Sequence, residues 1–298
     1  MNYETYLLKK YGYKKTTIHT KIKSLDLYKK SVSKHVTFEE IETEELLKIV
    51  EIQKNKYSLN VLNQHFKVLE DYFYYLMEIG KREHHPLENF RIKTKDKKII
   101  RGLFREKELE DLYKRYPKNG HYSGIFDVYQ SRNRVILGML IYQGLSSKDV
   151  QNLEVESVNL ETGKVHILSK KGERLNSRIL RLESIQIIEL QEYINQTRKE
   201  LLNLIKAKKE TKKMFPVGER TKFSSVLQSV KRQLNKYEKI ENLQIIRNSR
   251  IGIWMERYNV REVQYLAGYK SLLSLEKFNQ SKLEKLKNAL EKLHPSSK

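Results

Sequence analysis

The chain contains no cysteine. Without thiols there is no disulfide framework and no thiolate metal site, so zinc-finger recognition of DNA is excluded and no metal or other cofactor is expected. Long apolar runs are also missing. The longest, VILGMLIY from Val135 to Tyr142, falls far short of the roughly 20 residues a membrane-spanning helix needs, and the N-terminus has no apolar signal core. A soluble, cytoplasmic protein is the expectation. Acidic residues are scarce against basic ones: 37 Asp+Glu face 59 Lys+Arg among 298 residues, a formal net charge of +22. Such a surplus opposes a compact state by self-repulsion unless a polyanion relieves it, and nucleic acid is the polyanion that fits. A lysine-rich, alanine-poor genome bias is the blander source of the same charge. Histidine is absent between His166 and His294, which removes imidazole chemistry from that whole stretch.

What is present reads mainly as helix, over a length sufficient for two domains with separate cores. Residues 1–90 form a basic helical module. Thr16 to Val32 carries Ile18, Ile22, Leu25 and Tyr28 near helical spacing, and Leu59 to Ile79 carries Leu62, Phe66, Leu69, Phe73 and Leu76 on one stripe. Gly80 and the turn at His84 to Pro86 stop that helix. Residues 91–102 are basic and without periodicity, a linker whose Lys95, Lys97, Lys98 and Arg101 would suit a phosphate backbone, although a solvated hinge would look the same.

Residues 103–298 form the second domain. An amphipathic helix at its start is followed by a buried helix from Ser131 to Tyr142, then by SSKDVQNL with Ser146 or Ser147 as N-cap and Asp149 in the first turn. Strand alternation occurs only in KVHIL (Lys164 to Leu168) and SRILRL (Ser177 to Leu182), which flank a polar connection and make a β-hairpin. Ser184 is the expected cap of a long helix, and Ser224 or Ser225 of the next. From Leu243 to Phe278 the pattern is a helix, a break at Asn259, a short helix and a turn through Gly268 and Tyr269 into a third. At the end, Ser281 and Glu284 read as a capping box on an apolar-striped helix, residues 281–293, able to pack in cis or on a neighbour.

Five segments in this order resemble the tyrosine recombinases, the phage-integrase family. Thr16 to Pro86 is similar to the family's SAM-like core-binding domain, and Phe104 to Leu112 to the LTxEEL opening of its catalytic domain. YQGLSSKDVQNL (Tyr142 to Leu153) is similar to TGLRxSELxxL, MFPVGERTKFSSVL to the LFP...LS segment, and AGYKSLLSLEKFNQ (Ala267 to Gln280) to LGHxSxxTTxxYxH. The resemblance covers nearly the whole chain. It implies a mainly α fold with a small β-hairpin or sheet: a SAM-like helical domain followed by a recombinase-like catalytic-fold domain.

The family's reaction transfers a DNA phosphoryl group to a tyrosine oxygen. It requires a phenol nucleophile, arginine forks on the phosphate and a lysine or histidine for proton traffic. By resemblance, Arg247 holds one arginine position, Lys170 or Lys171 the hairpin lysine, and Asp149 the acidic position of the first box. The other arginine position falls on Ser146, the histidine three residues before Arg247 on Gln244, the later His/Trp position on Tyr269 and the nucleophile on Phe278. A phenyl ring carries no oxygen, and removing a single preorganised donor typically costs ~10²–10³ in rate.

Three readings follow. In the first, the chain is a sequence-specific duplex DNA-binding protein with a degenerate active site, contacting phosphates through the linker, through Lys170, Lys171 and Arg174 of the hairpin, and through Arg247. It would serve recombination or integration as accessory or regulator, partnered by itself or by an active recombinase through residues 281–293. In the second, it is an active recombinase using Tyr258, Tyr265 or Tyr269 as a displaced nucleophile. In the third, it is an RNA-binding or structural protein on the same scaffold.

Overall fold

The computed structural model describes residues 1–32, 37–88, 90, 100–118, 124–169, 175–206 and 211–278. Lys95, Lys97, Lys98, Lys170, Lys171, Arg174 and the helix expected over residues 281–293 lie outside the described residues. The chain divides into two compact units, Met1–Lys97 and Lys98–Lys298.

The first unit holds four helices among its described residues: α1 (Tyr3–Tyr11), α2 (Lys15–Lys29), α3 (Thr43–Lys54) and α4 (Leu59–Glu78). Asn2 caps α1 by accepting from the Thr5 N–H at 2.9 Å, and Gly12 closes it in the left-handed region at φ 62°. The stripe foreseen on α4 is the centre of the core: Leu62, Phe66, Leu69, Phe73 and Leu76 are buried against Tyr6, Leu7, Ile18, Leu25 and Tyr28. Each such side chain contributes about 1.5–3 kcal/mol when fully removed from water. Two polar groups are sunk into this core with partners. Asp71 accepts from Lys21 Nζ at 2.6 Å, and the His65 ring lies 3.2 Å from the Tyr28 hydroxyl.

The second unit is built around α6 (Ile125–Ile141), whose residues from Arg132 to Ile141 are all buried. Helix α5 (Glu106–Arg115) lies against it, and α7 (Ser147–Asn152) follows it after a tight turn at Gly144. Two of the buried positions on α6 are arginines. Arg134 stacks over Tyr113 at 4.2 Å, donates to Glu189 at 3.0 Å and also reaches the Tyr113 and Tyr116 carbonyls.

The expected hairpin is present as β2 (Lys164–Ile167) and β3 (Arg178–Arg181), with β1 (Val158–Asn159) as a third antiparallel strand, in the order β1-β2-β3. Val165 pairs with Leu180 and His166 with Ile179. Then come α8 (Ser184–Glu192), a π-helical turn at Tyr193–Thr197, α9 (Arg198–Leu204), α10 (Phe223–Leu234), α11 (Gln244–Arg257) and α12 (Val260–Ala267). A 3-10 turn at Leu272–Leu275 leads into a helical turn through Phe278, where the described residues end. No helix among the described residues is long and apolar enough to cross a membrane.

Three helix starts differ from expectation, α6 beginning at Ile125, directly after Gly124, and not at Ser131. Glu183 rather than Ser184 is the N-cap of α8, because Glu183 and Gln186 satisfy each other's backbone in a capping box. Helix α10 begins at Phe223, ahead of Ser224 and Ser225, since the buried Phe223 side chain anchors its first turn in the core.

Candidate functional site

Ser146 and Asp149 form the start of α7. The Ser146 side chain accepts from the Asp149 N–H at 3.1 Å, and Asp149 Oδ2 accepts from the Ser146 N–H at 2.9 Å. This reciprocal cap is why serine suits the position: an arginine there could not accept the orphaned N–H.

Asp149 Oδ2 also receives Nη2 of Arg178, at 2.9 Å. Arg178 is the first residue of β3, and on a strand its side chain falls on the same face as Leu180, toward the core. Its side chain is fully buried. Nη1 donates weakly to the Asn176 carbonyl, while Nε has no hydrogen-bond partner. Resemblance to the family gave no role to this residue. The sequence did carry a signal: in SRILRL, residues 178, 180 and 182 share a face, so an arginine is aligned with two leucines. An arginine on a core face needs a partner, and Asp149, 29 residues earlier, is out of reach of local pattern reading.

Arg247 lies in the first turn of α11 between the buried Ile246 and Ile251 faces and is only 3% exposed. One Nη donates to the Gly144 carbonyl and the other to the Ala267 carbonyl at 2.7 Å. The guanidinium is therefore engaged with the protein backbone and does not lie on an open surface. Burial pulls it below the ordinary arginine range. The Tyr269 phenol and Asp149 oppose that shift, whereas the nearby positive charge of Arg178 reinforces it. Arg178 and Arg247 are thus electrostatic neighbours, joined around Asp149.

The turn from Ala267 to Tyr269 touches both guanidinium groups. Gly268 ends α12 at φ 70°, and a Cβ there would stand 2.6 Å from Arg178 Nη1. The Tyr269 ring centroid is 5.5 Å from the Arg247 guanidinium carbon. Backbone bonds fasten this turn to the end of the hairpin: Leu175 bridges to Tyr269, and the Asn176 N–H donates to the Gly268 carbonyl at 2.7 Å.

Phe278 is buried, 4% exposed, among Ile251, Trp254, Val263, Ala267 and Leu275. Lys277 Nζ lies 5.1 Å from its ring centroid and 6.0 Å from that of Tyr269. Gln244 is exposed at the start of α11 and donates to Asn248 at 3.2 Å. Of Tyr258, Tyr265 and Tyr269, it is Tyr269 that stands beside Arg247. Tyr258 and Tyr265 instead line an open groove of about 900 Å³ with Ile179, Arg181 and Trp254, and the Tyr265 hydroxyl accepts from the Ile179 N–H at 3.0 Å. Arg101 is exposed. Among the described residues no cluster of three or more His, Asp or Glu side chains is placed to hold a metal ion.

In sequence, no family model and no curated protein matches the chain. In structure, it is similar to the XerH site-specific recombinase bound to palindromic difH substrate, with a TM-score of 0.68 and 16% identity over 93% of this chain and 79% of that one. A lambda integrase dimer bound to a COC' core site gives a TM-score of 0.65 and 13% identity, covering 94% and 75%. The Tn1549 transposon integrase in complex with transposon right end DNA gives 0.64 and 12%, covering 98% of each. The fold of the chain is that of the tyrosine recombinases and integrases, a mainly helical architecture with one small antiparallel sheet.

Proposed function

We propose that this chain is a duplex DNA-binding protein on the tyrosine-recombinase fold that does not cleave DNA through the family's nucleophile position. The observation that carries the reading is Phe278. An aromatic side chain is kept where the nucleophile would fall, but it has no oxygen and is packed into an apolar cluster. Gln244 likewise provides no imidazole, and Ser146 is used as a helix cap. The fold and the +22 charge support retained binding to a polyanion. The neighbours named above are themselves bound to DNA, and one of them is a dimer. On this reading the chain is an accessory or regulatory partner in recombination or integration, with residues 1–90 and 103–298 as separate domains. Residues 281–293 dock on a second copy or on an active recombinase, while Lys95, Lys97, Lys98, Arg101, Lys170, Lys171 and Arg174 meet phosphates.

The test begins with DNA capture from a genomic library, followed by binding to the recovered duplex at about 0.15 M salt against a charge-matched control. Specific binding without a denaturant-resistant protein–DNA adduct on nicked duplex is the expected result. Affinity no greater than the control ends the proposal, and stronger competition by structured RNA favours the RNA-binding alternative. A second reading has one observation behind it, the Tyr269 phenol beside Arg247. It makes the chain an active recombinase with a displaced nucleophile, and it requires an adduct that Tyr269→Phe abolishes.

A further inference from the structure

We propose that Arg178 supplies from β3 the guanidinium that Ser146 lacks, and that Arg178 and Arg247 together form a pocket for one backbone phosphate of bound DNA, covered in the free chain by the Ala267–Tyr269 turn. The inference rests on the DNA-binding reading above and deepens it.

Three observations support it. The first is placement. Arg178 reaches the carboxylate oxygen that also caps Ser146, so its fork arrives at the helix start where the first-box arginine would have been. The second is charge. Among the described residues, Arg178 is ion-paired with Asp149, whereas the buried Arg247 has no carboxylate within salt-bridge distance and donates to the neutral carbonyls of Gly144 and Ala267. A buried excess of one positive charge is costly in a low-dielectric setting and is best relieved by an anion with several acceptor oxygens. The third is an unmet donor. Arg178 Nε is buried without a partner, in a protein where buried polar atoms normally have one.

The cover is specific. Gly268 packs directly on the Arg178 fork, Ala267 accepts from Arg247, and the half-buried Tyr269 ring stands over the same guanidinium. The Tyr269 ring centroid, 5.5 Å from the Arg247 guanidinium carbon, is part of the cover a phosphate would have to displace. The turn is held down by Leu175 and Asn176 at the hairpin end, so phosphate entry requires that those two backbone contacts open together. The ligand class is a phosphate di- or monoester, with DNA as the source.

The test follows the side-chain Nε–H signals of Arg178 and Arg247 by NMR in the unaltered full chain, titrated separately with recovered duplex and with inorganic phosphate. Both signals are expected to shift and to gain protection from exchange with duplex. Full-chain Arg178→Gln, if folded, is expected to bind about ten-fold more weakly and to lower the salt-dependence slope by about one. The proposal is overturned if the Arg178 signal stays unmoved by both titrants, or if folded Arg178→Gln keeps the wild-type slope. A response to phosphate in a chain without duplex affinity would keep the pocket and end the DNA reading, so the two failures are distinguishable.

Discussion

Replacing Gly268 by alanine should damage the second unit well beyond the ordinary cost of a side chain at positive φ. Gly268 sits at φ 70°, and Gly102, in the same unit, sits at φ 68°. Alanine in this left-handed region costs about 1 kcal/mol at either site. At Gly102 the added Cβ meets nothing within 4 Å, and that cost is the whole effect. At Gly268 the Cβ would stand 2.6 Å from Arg178 Nη1, 3.1 Å from Cζ and 3.2 Å from Cδ, so the guanidinium and the stem behind it must both move. The fork cannot swing into water, because it is fully buried and held by Asp149. Displacing it from that carboxylate approaches the 3–5 kcal/mol typical of breaking a buried pair, giving roughly 4–6 kcal/mol in all.

The assay is equilibrium unfolding in urea, read by the fluorescence of Trp254. This is the only tryptophan of the chain and reports the second unit by itself, which avoids treating two units as one transition. A double-mutant cycle with Arg178→Met isolates the contact: in that background Gly268→Ala should revert to about 1 kcal/mol. Equal losses for Gly268→Ala and Gly102→Ala, within about 0.5 kcal/mol, would refute the placement of Arg178 beneath this turn.

Two further outcomes are expected. Phe278→Tyr should, on the proposed reading, produce no covalent adduct on nicked duplex, because Gln244 still provides no imidazole and residue 278 is packed in an apolar cluster. A burst of denaturant-resistant adduct on a gel would contradict this. Stability of the first unit should fall as the pH drops below the ordinary histidine value of 6.5, because burial holds the His65 imidazole below it. The unfolded chain then binds a proton that the folded chain resists, so stability is complete above 6.5 and is lost as the pH falls through the lowered folded value. His65→Gln, which keeps an acceptor for Tyr28, should flatten the melting temperature between about pH 8 and pH 5, and an unchanged slope would exclude His65 as its source.

Much of the fold is legible because its elements are locally consistent. The α4 stripe, the alternation of β2 and β3, the Ser146–Asp149 cap and the Asn259 break each follow from spacing a few residues long. The helix starts at Glu183 and Phe223 were less visible, since a reciprocal Glu–Gln cap and a buried anchor compete with nearby serines. The site is only half legible. Arg247 is identifiable by its place on an apolar face, but that it donates to carbonyls 103 and 20 residues away depends on tertiary packing alone. Arg178 was hidden for the same reason. Its face could be read from SRILRL, whereas its partner lies on another element and its neighbour at Gly268 is 90 residues downstream.

The salt link between Arg178 and Asp149 also limits which substitutions remain open to this sequence. Introducing arginine at residue 146 would remove the cap of α7 and bring another guanidinium to a carboxylate already paired with Arg178, close to the buried charge of Arg247. Arginine at residue 146 would therefore lower stability unless Arg178 changed with it. Since that residue in turn leans on Gly268, the three positions are entrenched together, and each is expected to tolerate exchange only in company with the others.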